Sequence, residues 1–302
     1  MNWDPVIDQQ TSAHPEIVAL LHKRLSDLKD GFRQNVALLG APGSGKSSAL
    51  LTAIAQSRAL PLLIVYCEAR REPWELWARR FLWATLHGLA GFRPEQIDAT
   101  HEATLLRKAY AIAPRTAQSI AELLPQIRVT PHERVFRQIL DLPYLAIEET
   151  KRPGVIVLDE FHQLERLGVY RPFHELGKRI MLERSMLYLF ASSQPVIARR
   201  ILRERLNLLF GGFELVELDG MSAAAGEALI RDRLSHRRLP EWAAGFLVRF
   251  TNGHPWSLAT LLDAFALRGQ PACIDVDCGD QAHILPPSVM LVRKVRSFWL
   301  RY

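Results

Sequence analysis

A chain of 302 residues, 48% hydrophobic and 23% charged, can bury a sizeable core and favours one large domain plus a small one. It contains no uncharged apolar run of about 18 residues, which excludes an ordinary membrane-spanning helix, and its start, MNWDPVIDQQ, lacks the basic and apolar pattern of a secretory leader. The net charge of +6 suits an ordinary cytoplasmic protein and also permits a partner with an acidic surface, nucleic acid included.

Along the chain, 15–28 has the spacing of an amphipathic helix, followed by a short apolar strand at 35–39. The strand runs into GAPGSGKSS, residues 40–48, and then into a helix-forming segment. A second buried strand is expected at 62–67, where Cys67 reads as a buried thiol. The segment 73–90 reads as a helix with a proline in its first turn, and Trp74, Trp77 and Trp83 fall at helical spacing, as core residues do. Residues 100–150 read as several short helices divided near Pro114, Pro125 and Pro131. Strands are expected at 155–159, 186–192 and 213–218, each a short apolar run of the kind a parallel sheet covers on both faces. After Leu218 the pattern becomes helical only, at 222–234, 241–250 and 255–267, with Ser222 as a helix cap. The tail carries Cys273 and Cys278, without further Cys or His at zinc spacing. Its last segment, SVMLVRKVRSFWLRY, reads as a basic amphipathic helix able to dock on a partner.

The glycine-rich loop matches G-x-x-x-x-G-K-[ST] from Gly40 to Ser47. Glycines let backbone N–H groups turn toward a polyphosphate, and the following helix presents its positive end to the same anion. Gly40, Ala41, Pro42, Gly43, Ser44 and Gly45 form the expected cradle, continued by Ser48. Lys46 is the expected phosphate cation and Ser47 an expected Mg2+ ligand. In GVIVLDEFHQL a buried apolar strand ends in two carboxylates. Asp159 is placed to hold Mg2+, and Glu160 to polarise an attacking water as general base. The strand LYLFASSQP ends in small polar residues, and either Ser192 or Ser193 is placed to reach a γ-phosphate or the water.

In that order, these features resemble the AAA+ class of P-loop ATPases. Within it the chain is similar to the branch joining archaeal-type, origin-recognition and signal-transduction ATPases. FELVELDGMSAAAGEALIRDRL and FTNGHPWSLATLLDAF are similar to the last strand, first lid helix and G-x-P lid motif of that branch. The resemblance spans about residues 15–268. It implies an α/β P-loop NTPase fold, with a parallel five-stranded sheet of order 5-1-4-3-2 between helices and a small all-helical lid. The implied division is an ATPase domain over 1–219 with a helical insertion at 68–150, a lid over 220–268 and a tail over 269–302.

The resemblance also places His254 and Pro255 at a lid-helix start facing the phosphates, in a G-x-P motif without arginine. It expects an arginine finger for a neighbouring copy among Arg199, Arg200, Arg203 and Arg205, while Gly211-Gly212 stands where some relatives carry arginine. It implies ATP rather than GTP. The activity expected is ATP hydrolysis, coupled to a conformational or assembly switch. The alternatives are a DNA-associated initiator or transposition helper, and a scaffold that binds nucleotide without turning it over.

Overall fold

The computed structural model describes residues 13–91, 102–182, 184–206, 212–234, 239 and 241–267. The terminal basic helix, Cys273 and Cys278 lie outside these residues, as does Gly211. The described residues up to Ala266 belong to one compact unit.

Five strands form a single sheet: β1 (Asn35–Gly40), β2 (Leu63–Glu68), β3 (Gly154–Asp159), β4 (Met186–Ser192) and β5 (Phe213–Leu218). Their order is β2-β3-β4-β1-β5, and every pairing is parallel. Read from the other edge, this is the 5-1-4-3-2 order expected from the resemblance. Each strand falls within a residue of its expected place. The three inner strands bury every residue, because helices cover both faces. The edge strand β5 alternates instead, with Glu214 and Glu217 on opposite faces. Each of these acids finds an arginine on its own side, Arg24 at 2.9 Å and Arg199 respectively.

One face is covered by α1 (Pro15–Lys29) and α2 (Lys46–Gln56). Leu21, Leu25, Leu50 and Ile54 pack there on Val36, Leu38, Val157 and Leu189. The other face carries α3 (Trp74–Ala90), α4 (Glu102–Ile112), α5 (Pro114–Gln126), α6 (His132–Thr150), α7 (Pro172–Leu182) and the short α8 (Pro195–Arg200). The latter continues as a π-helical turn over Ile201–Arg205. Trp74 and Trp77 are core residues as expected, with the Trp77 ring 5.4 Å from Phe81 and 5.5 Å from Phe136. Trp83 packs against the same cluster.

Residues 102–150 do form three helices. Pro114 opens α5 and Pro131 caps α6, but Pro125 sits inside the last turn of α5 rather than between helices. Glu149 of α6 accepts from the backbone N–H groups of Arg115 and Thr116, both at 2.9 Å. It thereby satisfies donors that the start of α5 leaves open.

Beyond β5 come α9 (Ala223–Arg233), α10 (Glu241–Phe250) and α11 (Pro255–Leu267). Ser222 caps α9, its hydroxyl accepting from Ala225 N at 3.2 Å. The three helices have a small core of their own, including Ile230, Leu247, Val248, Leu258 and Leu262. A backbone seam ties the exit of β5 to the turn between α10 and α11. Met221 N donates to Gly253 O at 2.7 Å, and a Cβ on Gly220 would lie 2.1 Å from Asn252 O.

Candidate functional site

The site lies at the carboxyl ends of the strands, beside the point where the strand order reverses around β1. From Gly40 the chain turns through the glycine-rich loop into α2. Gly43 (φ 77°) and Gly45 (φ 93°) take left-handed conformations that side chains disfavour. At Gly43 space forbids a side chain as well, since a Cβ would stand 2.8 Å from the Trp256 Cβ. The first bond within α2 runs from Ala49 N to Gly45 O at 2.9 Å. The N–H groups of Lys46, Ser47 and Ser48 therefore have no intrahelical acceptor and point toward the loop. Such a nest of donors fits an anion.

Lys46 is buried, and its Nζ donates to Gly40 O at 3.0 Å and Ala41 O at 2.8 Å, with Ser44 Oγ at 3.3 Å. Burial lowers the pKa of its ammonium, while Glu160 and Asp159 oppose the shift. The cation is thus held by loop carbonyls that phosphate oxygens can replace.

β3 delivers Asp159, 2% exposed, beside this loop. Its Oδ2 accepts from Ser47 Oγ at 2.6 Å and from the Tyr66 hydroxyl at 2.7 Å. Its Oδ1 accepts from Glu160 N at 2.9 Å. Among the described residues no group of three or more His, Cys, Asp or Glu could hold a metal. The Ser47–Asp159 pair nevertheless offers one hydroxyl and one carboxylate, a donor set that fits Mg2+ retained largely by water and phosphate oxygens.

Glu160 follows in a left-handed conformation, φ 51° and ψ 38°, which turns its side chain toward β4. Its Oε2 accepts from Ser193 N at 2.9 Å and Ser193 Oγ at 2.8 Å. Burial raises the carboxyl above its ordinary pKa and Asp159 adds to the rise, while the Ser193 bonds oppose it. Of the two serines left open by the sequence, Ser193 meets Glu160. The Ser192 hydroxyl lies 2.8 Å from His162 Nδ1 instead.

The loop is gripped from two sides. His254 Nε2 donates to Pro42 O at 2.9 Å, because a carbonyl can only accept. Its Nδ1 then accepts from the Ser257 hydroxyl at 2.9 Å. Trp256 N donates to Gly43 O at 3.3 Å. On the other side the buried His14 lies with Nε2 2.8 Å from Ser44 O. Of the arginines proposed as fingers, Arg199 pairs with Glu217, and Arg200 and Arg205 both approach Glu165. Arg203 is exposed.

Sequence reasoning missed Tyr66, His14 and His162, whose Nδ1 is 3.3 Å from Glu160 Oε2. His162 had a visible signal, a histidine two residues after the acid pair. Tyr66 is a polar tip in an apolar strand, and its partner follows only from the register that sets Glu68 opposite Asp159.

The fold is that of solved AAA+ P-loop proteins of the origin-recognition type. The chain is similar in structure to the ORC1 protein of Aeropyrum pernix solved in complex with DNA, with a TM-score of 0.54 at 14% identity. That likeness covers 95% of this chain and 66% of the other. It is similar also to the Aeropyrum pernix ORC2 protein solved as ADPNP–ADP complexes, with a TM-score of 0.52 at 14% identity, covering 87% of this chain and 68% of that one. The chain thus spans about two thirds of the length of these structures, and at such identity the likeness is one of fold. No protein-family model matches the chain, and no curated protein matches its sequence. No helix of the described residues is long and apolar enough to cross a membrane.

Proposed function

We propose that this chain binds Mg2+-ATP in the glycine-rich loop and hydrolyses it, using the cycle to move or assemble itself on a partner. The observation that carries the reading is the run of contacts across three strand ends: Ser47 to Asp159, Asp159 to Glu160 N, and Glu160 to Ser193. In this reading Gly40 to Gly45 and the N–H groups opening α2 cradle the phosphates. Lys46 gives up Gly40 O and Ala41 O for phosphate oxygens, which strengthens its charge-assisted bonds. Ser47 and Asp159 hold the metal, and Glu160 takes the proton of the attacking water at its carboxylate. The Ser193 hydroxyl leaves Glu160 to bond the terminal phosphate. Bound Mg2+-ATP supplies the scissile anhydride and the charge that polarises it.

Residues 1–219 form the ATPase domain in this reading, with the 68–150 helices as a partner-reading insertion. Residues 220–268 act as a lid whose His254 reports on the loop through Pro42, and 269–302 are a tail that carries the basic amphipathic segment. A second reading, assembly on DNA, draws on the +6 charge and on the DNA-bound state of the ORC1 structure. The test of the core proposal is Lys46→Ala. ATP affinity is expected to fall about 100-fold, since a charged bonding partner is lost, while the thermal unfolding midpoint stays near that of the parent chain. Equal ATP affinity in the variant would overturn the assignment.

A further inference from the structure

Tyr66 belongs neither to the glycine-rich loop nor to the acid strand, yet its hydroxyl reaches the carboxylate between them. Among the described residues Asp159 accepts from Ser47 and Tyr66 on Oδ2 and from Glu160 N on Oδ1. Their fates differ once a metal enters. Ser47, as a metal ligand, would turn its hydroxyl oxygen to the ion and release Asp159. The Glu160 amide fixes one oxygen only, and it belongs to a residue in a left-handed turn. Tyr66 alone of the three sits within a strand of the sheet, its ring packed against the α1/α2 side of the core. Tyr66 is thus the donor through which the sheet would still hold Oδ2 with Ser47 turned away.

We propose that Tyr66 is a positioning residue for the divalent cation, holding Asp159 in the orientation from which it meets a metal on Ser47. The inference rests on the nucleotide reading above. Without this donor the carboxylate, 2% exposed, would have Ser47 on Oδ2 and the Glu160 amide on Oδ1, and only the amide would stay once Ser47 turned to a metal. Partners that orient metal ligands are worth about 10-fold or more in metal affinity.

The experiment is a titration of Mg2+ into the full chain with a fluorescent ADP analogue, alongside the same binding measured in excess chelator. Tyr66→Phe keeps the ring and its packing. Its Mg2+ midpoint is expected to rise about 10-fold, with metal-free ADP affinity unchanged. Coincident midpoints overturn the inference. So does an equal loss of metal-free and Mg2+-dependent affinity, which marks a structural role. A parent chain that binds no nucleotide fails the underlying reading first, and the inference falls with it. A second comparison guards against indirect damage. In an Asp159→Asn background, Tyr66→Phe should leave the Mg2+ midpoint where Asp159→Asn alone puts it. A full further shift there means that Tyr66 acts elsewhere.

Discussion

Glu160 is tied to Ser193 by two hydrogen bonds and lies close to His162, so water activation requires that it first be released. Its raised pKa has a direct consequence. A general base works deprotonated, so the acid limb of ATP turnover should lie above the pH at which a solvated glutamate titrates. In the proposed mechanism Glu160→Gln removes the base. Turnover is expected to fall by about 10²–10⁴ while ATP affinity holds. A variant that turns over like its parent points to a different base. At this scale the sequence was informative where chemistry is local. Gly40 to Ser47 and Asp159-Glu160 are contiguous, and their patterns alone singled out residues that the structure brings together. Tyr66, His14 and the choice between Ser192 and Ser193 were not legible, because each depends on register or on segments far apart in the chain.

The inner strands were legible as apolar runs because both of their faces are covered, and β5 fits its place at the edge because Glu214 and Glu217 interrupt it. Prolines were a less reliable guide. Pro114 and Pro131 mark helix starts, but Pro125 and Pro143 lie inside helices. Helix α6 spans Pro143 because its neighbours Phe136, Ile139, Leu140 and Ala146 are all buried in the same cluster, so packing outweighs the lost backbone bond. Packing also explains Gly88 of α3. A Cβ there would stand 2.5 Å from the Ile64 carbonyl on β2, a backbone atom that cannot step aside. Gly88→Ala should therefore lower the unfolding free energy by about 1–3 kcal/mol, read from urea denaturation, despite alanine's better helix propensity. An unchanged midpoint would mean that α3 lifts off the sheet freely.

For the whole molecule the open question is whether one chain completes its own site. Arg199, Arg200 and Arg205 are engaged with acids of their own chain. Yet all three are substantially exposed, at 43%, 56% and 63%, and are able to exchange those partners for another copy's phosphates. Exposed pairs of this kind contribute little, about 0–1 kcal/mol, and give way readily. ATP turnover per chain is accordingly expected to rise with protein concentration, and to rise at lower concentration when duplex DNA is present. Turnover that stays flat in both cases describes a chain that works alone, and directs attention to whatever partner the 68–150 helices contact.

The seam at Gly220 and Gly253 bears on how any such cycle is transmitted. Backbone meets backbone there with no side chain between, and Met221 N is bonded directly to Gly253 O. A joint of that kind has no slack. His254 and Trp256, which touch the loop at Pro42 and Gly43, follow the seam by one and three residues. A shift at the loop would then reach the turn between α10 and α11 without being absorbed by side chains, as a pull on one end of a taut wire is felt at the other.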